Sequence, residues 1–154
     1  MAAGAQTNPP PARADLLAVI VHKSNTATNL SLEDLRKLCL AEQKRWDHGR
    51  KITVVLREPG QPERDAVLQT VYRMKESDFT RYILQSTFAG DVGAAPKELA
   101  TAAGVRRFVF NVPGAIGFIR ASELDDSVKL IHINGLAPGE PGYPLVLRTK
   151  ESGP

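Results

Sequence analysis

Short runs of consecutive apolar residues recur along the chain and alternate with segments of a different periodicity. Continuous apolar runs are typical of β-strands that are buried on both faces. Four such runs predict strands at residues 16–21, 52–56, 115–120 and 128–133, and a last apolar piece covers residues 144–147.

The segments between these runs place apolar residues at helical spacing, and each begins with a residue that is typical of a helix start. Ser31 begins the first helix, with Asp34 three residues later as in a capping box. Pro62 lies in the first turn of the second helix, where its missing N–H costs little. Ser77 is predicted to cap a third helix, and Pro96 to begin a fourth.

Residues 105–112 fit two kinds of secondary structure. Their β-branched and aromatic content favours a strand. The i, i+3, i+4, i+7 spacing of their apolar residues favours a helix; these residues are Val105, Phe108, Val109 and Val112. With either choice, strands separated by helices predict an α/β protein with a largely parallel or mixed sheet.

The composition restricts the possible functions. The 154 residues suffice for one domain, with 42% hydrophobic and 24% charged residues. A net charge of +3 without a long Lys/Arg run predicts no nucleic-acid partner, and no apolar stretch is long enough for membrane insertion. Cys39 lies among leucines and is expected to be buried and inert. Without a catalytic or metal-ligating pattern, we expect no enzyme, no metal and no cofactor.

Both ends of the chain are small, polar or proline-rich. We predict a disordered N-terminal segment at 1–14, one domain at 15–149 and a disordered tail at 150–154. The first residues lack the basic start and apolar core of a secretion signal. Either the protein is cytoplasmic, or it is exported and its signal was removed and replaced by Met1.

Residues 57–64, with the sequence REPGQPER, lie between a predicted strand and a predicted helix. A strand, a glycine-containing turn and a helix N-terminus form a common anion-binding arrangement. The free backbone N–H groups and the positive end of the helix dipole point to one spot. This segment is therefore the candidate ligand site.

Seven segments, in order, resemble phosphate ABC-transporter substrate-binding proteins of the type II periplasmic binding class. They are AVIVHKSN, NLSLEDLRKL, a Trp-x-x-Gly turn, ITVVLREPG, PGAIGFI, VKLIHINGLAP and GYPLVLRT. The resemblance covers residues 16–149 and implies a fold of two α/β lobes with the ligand in the cleft between them. This chain is similar to one lobe only, so the implied fold class is α/β, a single lobe with a mixed sheet flanked by helices.

The resemblance also implies candidate ligand-binding residues. The family motif is an arginine, two variable residues and Gly-Ser-Gly-Thr-Arg, in which the arginine binds phosphate. The corresponding residues that are candidates here are Arg57, Gly60, Gln61, Glu63 and Arg64. Gln61 stands where the motif has serine and can still donate a hydrogen bond, but from a longer side chain. Pro62 stands where the motif has glycine and has no backbone N–H to donate. Glu63 places a carboxylate where the dianion would lie, and like charges about 4 Å apart repel by roughly 1 to 4 kcal/mol.

Simpler interpretations of these residues are also open. Arg57 could be a solvated arginine that pairs with Glu58 or Glu63. Glu63 is favourable at a helix N-terminus without any ligand, because its charge offsets the helix dipole. We take this to be its role, so that the protein supplies its own anion.

The leading hypothesis is a non-enzymatic, exported or periplasmic solute-binding-like domain whose oxyanion site is weakened or lost and which acts through a protein partner. The first alternative is a working phosphate or oxyanion-binding protein of an ABC uptake system. A dimer mate or another protein would then supply the second half of its site. The second alternative is a cytoplasmic regulatory module on the same fold.

Overall fold

A computed structural model describes residues 15–91 and 95–147. The predicted disordered segments at 1–14 and 150–154 lie outside the described residues, so the predicted domain bounds of 15–149 stay a prediction.

The strands are β1 (Leu17–Val21), β2 (Asn29–Leu30), β3 (Thr53–Arg57), β4 (Lys97–Leu99), β5 (Ala115–Arg120) and β6 (Lys129–Ile133). The helices are α1 (Leu32–Cys39), α2 (Pro62–Val67), α3 (Glu76–Phe88) and α4 (Ala102–Asn111). A π-helical turn, Leu68–Tyr72, continues α2, and a 3-10 turn, Ala121–Glu123, follows β5.

The six strands form one mixed sheet in the order β2-β6-β1-β5-β3-β4. Strand β1 is antiparallel to both of its neighbours, β5 and β6. Strand β3 is parallel to β5 and β4, so β3 and β5 end at the same edge of the sheet. A mixed sheet flanked by helices confirms the fold class that the sequence predicted.

The central strands form the core because their side chains are apolar on both faces. All five residues of β1 are fully buried, as the continuous apolar run predicted. Helix α4 lies directly against β5 at Gly117, where an added Cβ would come within 2.7 Å of Val105 Cγ1. The absence of a side chain at Gly117 therefore sets the distance between this helix and the sheet.

Helix α1 begins as its sequence predicted. The hydroxyl of Ser31 accepts a hydrogen bond from the backbone N–H of Asp34 at 2.9 Å, which satisfies one free donor of the first turn. Residues Leu35, Leu38 and Cys39 are buried on its inner face. Within the described residues, no helix is both long and apolar enough to cross a membrane.

The prediction that Pro96 begins a helix is wrong. Residues 97–99 form β4, which pairs with the edge of β3, and the helix begins only at Ala102. Its N-cap is Thr101, whose hydroxyl accepts a hydrogen bond from the N–H of Gly104 at 2.9 Å. Pairing with a distant strand therefore decides the structure of residues 97–99, and local propensity does not.

The structure decides three further predictions of element type or boundary. Residues 105–111 are helical, so the i, i+3, i+4 spacing was the decisive signal in the ambiguous segment. The cap predicted at Ser77 is wrong, because α3 begins at Glu76 with Lys75 at its N-cap position, and no side chain caps it. The strand predicted at 52–56 is shifted by one residue, so Arg57 ends β3.

Candidate functional site

The candidate site lies where β3 ends and α2 begins. Arg57 is the last residue of β3, and Gln61 occupies the N-cap position of α2. Between them, Gly60 has a φ of 94°, a left-handed conformation that glycine adopts without strain. Gly60 therefore supplies the turn that brings the helix N-terminus back beside the strand end.

Glu63 is the buried carboxylate of this site and lies between two arginines. Its Oε2 is 2.8 Å from Nε of Arg120 and 3.3 Å from Nη1 of Arg57. The side chain of Glu63 is 7% exposed, against 11% for Arg57 and 31% for Arg120. Burial raises the pKa of Glu63, but the hydrogen bond from Arg120, a hydrogen bond from the backbone N–H of Glu63 and the charge of Arg57 together outweigh it, so the pKa lies below its usual value. Glu63 is therefore charged at neutral pH.

Arg57 is held by several contacts and is not a solvated side chain. Its Nη2 donates to Oε1 of Gln61 at 3.1 Å and to the carbonyl of Ala100 at 2.9 Å. Of the two glutamates that the sequence offered as ion-pair partners, the structure pairs it with Glu63. Gln61 uses its carbonyl oxygen as an acceptor here.

Arg64 points away from Glu63 into a second ionic cluster. Its guanidinium binds both oxygens of Glu76, at 2.9 and 2.7 Å, and Oε2 of Glu98 at 2.7 Å. It also donates to the carbonyl of Arg57 and lies 5.2 Å from the ring centre of Phe79. Burial lowers the pKa of Arg64, but the bonds to the two glutamates raise it above its usual value. Arg64 thus joins α2 to α3 and β4.

The charges of the two clusters balance only when both clusters are counted together. Three arginines (Arg57, Arg64 and Arg120) face three glutamates (Glu63, Glu76 and Glu98). Among these six residues, two buried side-chain atoms have no hydrogen-bond partner in the described part of the chain: Oε1 of Glu63 and Nε of Arg57. The cluster around Glu63 therefore keeps one excess positive charge, and the cluster around Arg64 beside it has one excess negative charge. Glu63 offsets one of the two arginine charges that face an anion, and not every donor and acceptor within the site is satisfied.

The sequence analysis missed Arg120, which is 57 residues away from Glu63. Arg120 ends β5 and Arg57 ends β3, and these parallel strands are neighbours in the sheet. Two arginines that end neighbouring parallel strands indicate a shared site, but this signal can be used only once the strand order is known.

Other residues considered in the sequence lie outside this site. Burial raises the pKa of the Cys39 thiol to about 12, so this cysteine is a poor nucleophile. Trp46 is buried, and its indole N–H donates to the carbonyl of Gly114 at 2.9 Å. Trp46 is therefore a packing residue.

No known family profile matches the chain. The fold is nevertheless that of part of the phosphate-binding proteins, as three solved structures show. One is described as a phosphate ABC transporter substrate-binding protein with bound phosphate from Clostridium perfringens; it is 24% identical, with a TM-score of 0.66 over 80% of this chain and 47% of the other. An ABC-type phosphate transport receptor from Vibrio cholerae is 22% identical, with a TM-score of 0.62; the match covers 90% of this chain and 55% of the receptor. PstS from Borrelia burgdorferi is 15% identical, with a TM-score of 0.67; the match covers 87% of this chain and 55% of PstS.

The chain spans about half the length of these solved structures. The resemblance to phosphate-binding proteins that the sequence predicted is thus confirmed at the level of the fold, and the partial coverage fits a single lobe. At this level of identity, likeness of fold does not by itself carry a binding activity.

Proposed function

We propose that this chain is a non-enzymatic, solute-binding-like domain related to phosphate-binding proteins, with a weakened or lost oxyanion site. One observation carries the proposal: the carboxylate of Glu63 lies 2.8 Å from Arg120 and 3.3 Å from Arg57. This carboxylate pairs with the two arginines that an oxyanion would need as its partners.

Competition between charges explains why phosphate binds weakly in this proposal. A phosphate dianion must either displace Glu63 from both arginines or lie beside it. Two like charges about 4 Å apart repel by roughly 1 to 4 kcal/mol at the effective dielectric of a protein surface or water. Pro62 offers no N–H, and the side-chain oxygen of Gln61 accepts from Arg57. Few donors therefore remain for the ligand.

A working oxyanion binder is the second candidate, and one observation favours it. Two arginines converge at one sheet edge, and Nε of Arg57 is buried without a partner. If the Glu63 side chain leaves both arginines, their guanidinium groups become available to a ligand. A second protein would then bind the other side of that ligand. In either case, the names of the similar structures support a protein that works with an ABC transporter, and we propose that it is exported or periplasmic.

Isothermal titration calorimetry of the purified chain with phosphate and sulfate tests the proposal, at constant ionic strength. We expect a dissociation constant for phosphate no tighter than about 0.1 to 1 mM, or roughly 4 to 5 kcal/mol of binding. A micromolar constant would contradict the proposal and favour the second candidate.

A further inference from the structure

The positive charge of the chain is concentrated in one turn. The basic turn, residues 44–51 with the sequence KRWDHGRK, contains four cationic residues and one carboxylate, a net charge of +3. This equals the net charge of the whole chain, so the remaining sixteen Lys and Arg residues are matched by sixteen Asp and Glu residues. The rest of the protein is formally neutral.

The backbone of the basic turn is fixed by hydrogen bonds. The N–H of Trp46 donates to the carbonyl of Arg50, and the N–H of Gly49 donates back to the carbonyl of Trp46 at 2.8 Å. The buried indole of Trp46 attaches the turn to Gly114. A surface that is rigid before binding loses less entropy when a partner docks.

Among the described residues, three of the four cations have no carboxylate partner. Lys44 pairs with Asp91 at 3.2 Å. Arg45 and Lys51 lie directly opposite each other on antiparallel segments, where like charges repel. In the described part of the chain, no carboxylate lies within 4 Å of Arg45, Arg50 or Lys51. All three are exposed, so an external group can supply the missing negative charge.

The chemistry of the basic turn favours carboxylates as that external group. Trp46 is buried and cannot stack on nucleic-acid bases, and His48, the other ring of the turn, already stacks on Trp46 with 6.2 Å between the ring centres. Trp46 is also the one large apolar residue of the turn, so nothing in the turn can insert into a lipid bilayer. Arginine forms forked pairs with carboxylates. We propose that the basic turn is a docking surface for a glutamate- or aspartate-rich segment of a partner protein.

This surface is separate from the candidate oxyanion site. The basic turn precedes β3, and Arg57 ends that strand, so the two lie at opposite ends of a five-residue strand. At about 3.3 Å per residue, this places them about 15 to 20 Å apart. The proposal does not depend on whether phosphate binds to the protein.

The test is a titration of the full chain with a fluorescein-labelled decaglutamate peptide, followed by anisotropy at low and moderate salt. Trp46 is the single tryptophan of the chain, so its intrinsic fluorescence reports locally on an unlabelled peptide. The variant carries Arg45→Gln, Arg50→Gln and Lys51→Gln. Its charge-matched control carries Lys23→Gln, Lys75→Gln and Arg107→Gln, three exposed cations that lie outside the basic turn.

We expect decaglutamate to bind to the wild type and to the control, and to bind about tenfold more weakly to the variant. Each exposed ion pair changes a binding constant by about 1.5- to fivefold, and binding should weaken as salt is added. If the variant is poorly folded by circular dichroism, Lys51→Gln alone should still weaken binding by more than Lys75→Gln alone.

Three results would overturn the proposal. The first is absence of binding to the wild type at low salt. The second is an equal loss of affinity in the variant and its control, because net charge alone would then be responsible. The third is tighter binding of duplex DNA or phosphatidylserine vesicles than of decaglutamate through the same three residues, which would assign the turn to phosphate groups.

Discussion

Replacing Glu63 by glutamine should destabilise the protein and, at the same time, make it responsive to phosphate. The substitution keeps the shape of the side chain but leaves Arg57 and Arg120 without their counter-charge. Loss of one partner from a buried ion pair costs about 3 to 5 kcal/mol. Arg120 is 31% exposed, so solvent compensates in part, and we expect a loss of about 2 to 4 kcal/mol in the free energy of unfolding.

Phosphate should restore much of this loss in the variant and less in the wild type. If the wild type binds at about 1 mM and the variant about tenfold more tightly, 10 mM phosphate stabilises them by about 1.4 and 2.7 kcal/mol. The assay is urea denaturation in 10 mM phosphate and in chloride at equal ionic strength. For a chain of this size, each kcal/mol also shifts the melting temperature by about 2 to 4 °C.

The control is Asp78→Asn, which removes a carboxylate from an exposed pair with Arg81 and leaves Glu63 in place. Its stability should change by less than about 1 kcal/mol, and its response to phosphate should equal that of the wild type. Our account of the site is refuted if Glu63→Gln is as stable as the wild type. It is also refuted if phosphate stabilises the variant no more than the wild type.

Three further predictions concern pH, thiol chemistry and packing. Because the pKa of Glu63 lies below its usual 4.5, its contribution to stability is present at neutral pH and lost in acid. The difference in unfolding free energy between wild type and Glu63→Gln should thus stay constant from about pH 8 to 5 and shrink below about pH 4.5; a constant difference down to pH 3 would contradict this. With a pKa of about 12, Cys39 should not react with a thiol reagent at pH 8 until the chain is unfolded in urea, and rapid reaction of the native protein would show that it is accessible. Gly117→Ala should lower the unfolding free energy by about 1 to 3 kcal/mol in chemical denaturation, because its Cβ would lie 2.7 Å from Val105 Cγ1; unchanged stability would mean that α4 can move away at no cost.

Local signals in the sequence were sufficient where a few neighbouring residues decide the structure. The continuous apolar run of β1 and the Ser31 cap of α1 are examples. They failed at residues 97–99, because pairing with β3 overrides the local helix signal after Pro96. The strand exists there only because a distant strand offers its edge.

The candidate site follows the same division. The turn that connects Arg57 to Gln61 is local, and its position could be read from the sequence. The partners that determine its chemistry are distant: Arg120 reaches Glu63 from β5, and Glu98 reaches Arg64 from β4. Sequence alone gave the segment but not the balance of charges, because that balance depends on the order of strands in the sheet.

The central claim is that Glu63 and its neighbours have replaced the donors of an oxyanion site. The most direct test is calorimetry with phosphate on a variant that carries Gln61→Ser, Pro62→Gly and Glu63→Thr, compared with the wild type. A regained charge-assisted hydrogen bond contributes about 1.5 to 3 kcal/mol, so we predict at least about tenfold tighter binding, and we expect Arg57→Ala in the same background to remove the gain. Unchanged affinity for phosphate in a variant shown to be folded would contradict the account.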